Sequence, residues 1–235
     1  MADVESANVV GYTTKALRAG ATMLAPCFKD VAKNGIDLNS ITVTGYDPEE
    51  GTAGDIGIQI LGPTGRAVAT YYWYDVNEDG DILKGWLDVN DDPVEDGSVV
   101  LQAGDGLWVT GLDGYSLMFP GEVNFDDVSK ALRNGATPTG NMMAVSRDLT
   151  TVTVSGYDAE EGSAGDVGIQ VLGPTGRAVA TYYWYDVDED GDILKGWLDI
   201  NDDPVEEGSV MLQAGDGLWV TGLNGLFINV IAPEL

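Results

Sequence analysis

Residues 38–111 recur as residues 149–222 without a gap, and 62 of the 74 paired positions are identical. Whatever the first copy folds into, the second must fold into as well, because the same pattern of apolar and turn residues is offered twice at an offset of 111. A unit of roughly 110 residues is an ordinary domain size. The reading is therefore two tandem domains from an internal duplication, 1–121 and 122–235. The substitutions between the copies are mild, for example Ile41/Val152, Thr44/Ser155, Asn77/Asp188 and Asp96/Glu207. The flanks diverge more. Lys15-Ala16-Leu17-Arg18 recurs as Lys130-Ala131-Leu132-Arg133, and Met23-Leu24-Ala25 is matched to Met142-Met143-Ala144 across a deletion.

Within each copy the pattern is that of short strands. Ile56, Ile58 and Ile60 alternate with small or polar residues, the period of a strand with one face inward. Arg66 to Val76 is rich in β-branched and aromatic side chains, and further strands are expected at 41–44, 82–87, 99–101, 107–110 and 116–119. Gly62-Pro63-Thr64-Gly65, Asp79-Gly80, Gly104-Asp105-Gly106 and Asp113-Gly114 punctuate them as turns. The fold class is all-β, with each unit a β-sandwich or a barrel. Helix is confined to a turn or two near 128–133.

Charge narrows the function. Eleven basic side chains stand against 39 acidic ones, a formal charge of −28, and there is no histidine. Such a chain is unsuited to a phosphate backbone, so no nucleic-acid partner is expected. No apolar run long enough to insert in a membrane is present. Without histidine there is no Ser-His-Asp triad and no histidine metal ligand. No phosphate loop, nucleophile elbow or dinucleotide fingerprint occurs, and the expectation is a protein without catalysis. One cysteine, Cys27, excludes an internal disulfide framework.

Two constellations carry candidate chemistry. The first is Asp75-Val76-Asn77-Glu78-Asp79-Gly80-Asp81 with its twin Asp186-Val187-Asp188-Glu189-Asp190-Gly191-Asp192. Oxygen side chains at alternate positions followed by glycine suit a loop wrapping calcium, here Asp75, Asn77, Asp79 and Asp81, and Asp186, Asp188, Asp190 and Asp192. The distal glutamate of a helix-flanked calcium loop is missing; Asp88 and Asp199 would replace it if the fold brought their turns to the same place. The competing reading is a plain hairpin turn. The second is the aromatic run Tyr72-Trp73-Tyr74 with its twin Tyr183-Trp184-Tyr185. Rings on both faces of one strand supply either a doubly buried strand or an exposed platform for glycans, which two copies would bind bivalently.

The termini are apolar and β-prone, Asn8 to Tyr12 and Leu226 to Ala232. They complete their own sheets or add to a neighbouring copy of the chain, head to tail, as in a filament. The start, Met1-Ala2-Asp3-Val4-Glu5, carries no export signal, which leaves a cytosolic chain or a mature exported one with an added initiator; the composition favours the second.

The order Gly11-Tyr12, Leu17, Ala19-Gly20, Met23-Leu24-Ala25-Pro26, Phe28, Asp37-Leu38, Ile41, Asp55-Ile56, Ile58-Gln59, Gly85-Trp86, Gly104 to Val109 and a closing Gly121-Glu122-Val123 resembles secreted β-rich bacterial surface proteins of unknown function. The second unit departs from it at the close, Ala232-Pro233-Glu234-Leu235. The resemblance implies an extracellular or cell-surface location and a structural or adhesive role. The expectation is thus an adhesive or filament-forming surface protein stabilised by calcium, with a bivalent carbohydrate-binding module as the alternative.

Overall fold

The structure is a computed structural model and describes residues 10–29, 35–45, 56–78, 81–156, 167–173, 176–189 and 192–232. It is all-β. The first half carries β1 (Val10–Ala16), β2 (Gly20–Leu24), β3 (Ile36–Asp37), β4 (Thr42–Thr44), β5 (Gly57–Leu61), β6 (Ala67–Glu78), β7 (Asp81–Leu87), β8 (Val100–Leu101), β9 (Leu107–Gly111) and β10 (Ser116–Glu122). The second half repeats the set as β11 (Val128–Ala131), β12 (Gly135–Gly140), β13 (Arg147–Asp148), β14 (Val152–Ser155), β15 (Gly168–Leu172), β16 (Ala178–Glu189), β17 (Asp192–Leu198), β18 (Met211–Leu212), β19 (Gly217–Gly222) and β20 (Phe227–Val230). A single 3-10 turn follows β3 (Leu38–Ser40) and β13 (Leu149–Thr151).

Each half is a sandwich rather than a barrel. A three-stranded sheet, order β1-β10-β4, faces a five-stranded sheet, order β2-β9-β5-β6-β7, and the second half has β11-β20-β14 over β12-β19-β15-β16-β17. Val43, Leu117 and Phe119 from the smaller sheet share one buried cluster with Ile58, Trp73, Trp86 and Val109 from the larger. The second core lies wholly between Leu132 and Val230. Both terminal strands complete sheets of their own half: β1 pairs with β10 from Val10↔Glu122 to Ala16↔Ser116, and β20 is the middle strand between β11 and β14.

Two expectations are corrected. The segment 128–133 is not helical, since Val128–Ala131 is strand β11, drawn into register with Phe227–Val230 because β20 offers it a ladder of backbone partners. Met23 is not equivalent to Met142. The register Met23↔Trp108 matches Pro138↔Trp219, so the deletion in the second copy falls after this strand.

The halves meet through reciprocal contacts. The Lys15 ammonium lies 2.7 Å from Asp216, and its counterpart Lys130 lies 3.1 Å from Asp105. A methyl group on Gly65 would meet the Trp219 ring at 2.6 Å, and one on Gly176 would meet Trp108 at 2.7 Å. Ala214 packs on the first core, and Ala103 packs on the second. These contacts occur twice with the roles of the halves exchanged, a pseudo-twofold junction, while the bridge between Leu24 and Asp216 has no counterpart among the described residues.

Candidate functional site: twin grooves beside paired tryptophans

The larger sheet has two more strands than the smaller one, and β6 and β7 project at its edge. Along their inward face the register sets Trp73 opposite Trp86 and Asp75 opposite Lys84. Strand periodicity puts Trp73 and Asp75 on the same side, two residues apart. The indoles meet edge to face, with ring centroids 5.1 Å apart, and Trp184 and Trp197 repeat this at 5.1 Å. Trp86 donates its indole N–H to the Ile41 carbonyl at 2.9 Å, and Trp197 donates to Val152 at 2.7 Å. Trp73 is only 3% exposed, yet its indole N–H has no acceptor among the described residues; the same holds for Trp184.

A groove of about 890 Å³ opens beside this pair in the first half, and one of about 1120 Å³ in the second. Sites for small ligands commonly occupy roughly 300–1,000 Å³. The first groove is walled by Asn39 and Thr42, by Trp73, Tyr74 and Lys84 to Leu87, and by Asp91, Pro93, Val94 and Asp96. The second uses the equivalent Thr150, Thr153, Trp184, Tyr185, Lys195 to Leu198, Asp202, Pro204 and Val205, together with Tyr183. The copies differ at one tether. Asn39 donates to the Val94 carbonyl at 2.7 Å and to Asp96 at 2.9 Å, pulling the loop inward, whereas Thr150 and Glu207 occupy those places in the second copy.

Asp88 builds the wall loop. Its carboxylate accepts the backbone N–H of Asn90 at 2.7 Å and of Asp92 at 3.0 Å, which holds Asp91 in the left-handed region at φ 64°. Those two backbone donors, with the Asn90 side chain, hold the Asp88 carboxyl below the usual carboxylate range. Asp199 repeats the arrangement with Asn201 and Asp203.

This geometry corrects part of the sequence expectation. Asp75 does not stand in the turn. Its carboxylate is buried, 2.9 Å from Lys84, three register pairs from the hairpin end where Glu78 faces Asp81, or about 10 Å away. Asp186 is likewise held by Lys195 at 2.7 Å. Asp88 and Asp199 lie at the opposite end of their hairpins, roughly 20 Å from the tip, because β7 and β17 run the whole distance between. These four therefore do not converge on one ion. The side chains of Asn77, Asp81, Asp188 and Asp192 and the whole of Asp79 and Asp190 lie outside the described residues. Among the described residues no cluster of three or more acidic, cysteine or histidine side chains is arranged to hold a metal.

The aromatic run is also divided. Trp73 and Trp184 are buried rather than displayed, because the even alternation that turns Tyr72 and Tyr183 outward, 37% and 38% exposed, turns the tryptophans in. Tyr74 and Tyr185 line the grooves. The walls Asp91, Pro93 and Val94 were missed by sequence reasoning, although the repeated Asp88-to-Asp96 segment was the signal that held them. No family model, curated protein or solved structure matches the chain at a significant level.

Proposed function

We propose that this chain is a non-catalytic extracellular adhesive protein of the bacterial surface type, and that it adheres by binding carbohydrate in its two grooves. The observation that carries the reading is that each groove is lined by a tryptophan, Trp73 or Trp184, whose covered indole N–H has no acceptor among the described residues. A buried donor left unmade costs of order 1–3 kcal/mol, which a ligand oxygen would recover by shifting the groove wall enough to reach the covered N–H. Sugar hydroxyls accept and donate within one small volume, and pyranose faces pack on aromatic and proline surfaces such as Tyr74 and Pro93. The formal charge of −28 argues for neutral glycans over sulfated or phosphorylated ones.

Calcium enters this reading through the tip residues Asn77, Asp79, Asp81, Asp188, Asp190 and Asp192 alone. Crowded carboxylates repel, and a divalent cation relieves that repulsion. The support is the sequence spacing of those residues.

Titration calorimetry against a panel of neutral oligosaccharides tests the adhesive reading. The expected result is two sites per chain for at least one glycan. Trp73→Phe and Trp184→Phe should each weaken one site about tenfold, the worth of one hydrogen bond, while keeping the ring. A panel without binding would overturn it. The phenylalanine variants are preferred to alanine, which would empty the core beside Trp86.

A further inference from the structure

Resting on the carbohydrate reading of the grooves, we propose that the two grooves differ in specificity and that Asn39 sets the difference. Asn39 is a positioning residue: it limits the first groove to short neutral oligosaccharides, while the second groove, without the tether, takes longer ones as well. The backbone anchors of the two wall loops are the same. Val94 donates its N–H to the Trp86 carbonyl at 2.9 Å, and Val205 donates to Trp197 at 2.9 Å. Ser98 donates to the Glu95 carbonyl at 3.0 Å, and Ser209 to Glu206 at 3.1 Å. Gly97 donates its N–H to the Asp37 carboxylate, and Gly208 donates to Asp148. What differs is one side chain on the opposite wall. The Asn39 amide group carries two donor hydrogens and spends them on the Val94 carbonyl and the Asp96 carboxylate. Thr150 has a single hydroxyl donor and turns it back to Asp148 at 3.0 Å, so among the described residues no bond from it crosses to Val205 or Glu207. The cover over the shared anchors follows the tether. Asp37 is buried and Gly97 half-buried, whereas Asp148 is half-buried and Gly208 exposed, although residue type and partner are the same. The groove volumes run the same way, about 890 Å³ with the tether and about 1120 Å³ without it. A ligand too long for the first groove must push back the Val94–Asp96 wall and break both amide bonds, one of them to a carboxylate. The second groove makes no such demand.

Two measurements on the full chain test it, and the first needs no ligand. Amide hydrogen exchange at Val94, Gly97 and Ser98, read by nuclear magnetic resonance, should be about tenfold slower than at Val205, Gly208 and Ser209, which make the same backbone bonds. Asn39→Thr with Asp96→Glu should close that gap by speeding the first set. Thr150→Asn with Glu207→Asp should close it by slowing the second. A native chain without the gap, or a gap that neither pair of substitutions moves, would overturn the tether. The second measurement is titration calorimetry with the neutral oligosaccharides of the panel, each as a length series from disaccharide to hexasaccharide. The native chain should bind two of the shorter members and one of the longest. Asn39→Thr with Asp96→Glu should bind two at every length, and Thr150→Asn with Glu207→Asp should bind the longest about tenfold more weakly than the native chain. Two sites at every length in all three proteins would overturn the size selection and leave the carbohydrate reading standing. No binding at any length would overturn both, and the exchange rates would then mark the tether as structural only.

Discussion

The carboxylate of Asp75 lies 2.9 Å from the ammonium of Lys84, directly across the β6–β7 ladder, with the carboxylate 5% exposed and the lysine 52%. The lysine also stands 5.8 Å above the Trp73 ring centroid. It neutralises a buried charge and covers the indole with one side chain. Lys84→Met should therefore destabilise the first half by about 2 kcal/mol, because it leaves Asp75 buried and unpaired. Lys84→Met combined with Asp75→Asn should recover much of that loss. Denaturant unfolding of the single and double variants measures both.

The two tryptophans of each pair should respond differently to the same change. Trp86→Phe removes the N–H that reaches the Ile41 carbonyl, whereas Trp73→Phe removes an N–H with no acceptor among the described residues. Both substitutions shrink a core ring, so the difference isolates the hydrogen bond. Trp86→Phe should cost about 1 kcal/mol more than Trp73→Phe in chemical denaturation. Equal costs would remove the distinction on which the groove reading rests.

Asp88 and Asp199 should steepen the acid limb of stability. Their carboxyls are held below the ordinary value by the N–H groups of Asn90 and Asp92, and of Asn201 and Asp203. A depressed folded-state value means that the unfolded chain takes up the proton first. The contribution is present above the unfolded value, about pH 4, and is lost as pH falls through the lower folded value. Asp88→Asn with Asp199→Asn should flatten thermal stability across that window and leave its pH dependence near neutrality unchanged.

Cys27 is fully buried, and burial pushes its thiol up to about 12, an effect that nearby Lys15 only partly offsets. A thiolate is the reactive form. Alkylation of the native protein at pH 8 should be negligible, and its rate should rise with denaturant along the unfolding curve. Rapid labelling in the absence of denaturant would contradict this burial.

Calcium should raise the melting temperature through the hairpin tips alone. Thermal scans in millimolar calcium and in excess chelator should differ for the native chain and for Asp88→Ala. They should coincide for Asp79→Asn with Asp190→Asn.

Much of the fold was legible because strand period and turn glycines are local signals. The strands expected at 107–110 and 116–119 are β9 and β10, and Arg66–Val76 lies largely within β6. What escaped was non-local. Nothing around Val128 announces a strand, since its partner Val230 is about a hundred residues away. For the candidate site, Tyr72 and Trp73 were correctly assigned to opposite faces of one strand. Which face was covered depended on the 3-10 turn at Leu38–Ser40 and on the loop after β7. Asp75 was read with its sequence neighbours, whereas its partner Lys84 stands across the ladder, a relationship visible only once the register is known.

Between two identical polypeptides, every mutation at their contact would act on both sides at once. In this chain the two ends of the junction are encoded separately, so each can change alone. That freedom has been used: Met23 packs against Gly217 on one side, while the corresponding contact on the other is Pro138 against Gly106. The paired arrangement can thus drift into asymmetry one position at a time, with one side keeping its fit while the other explores a new one.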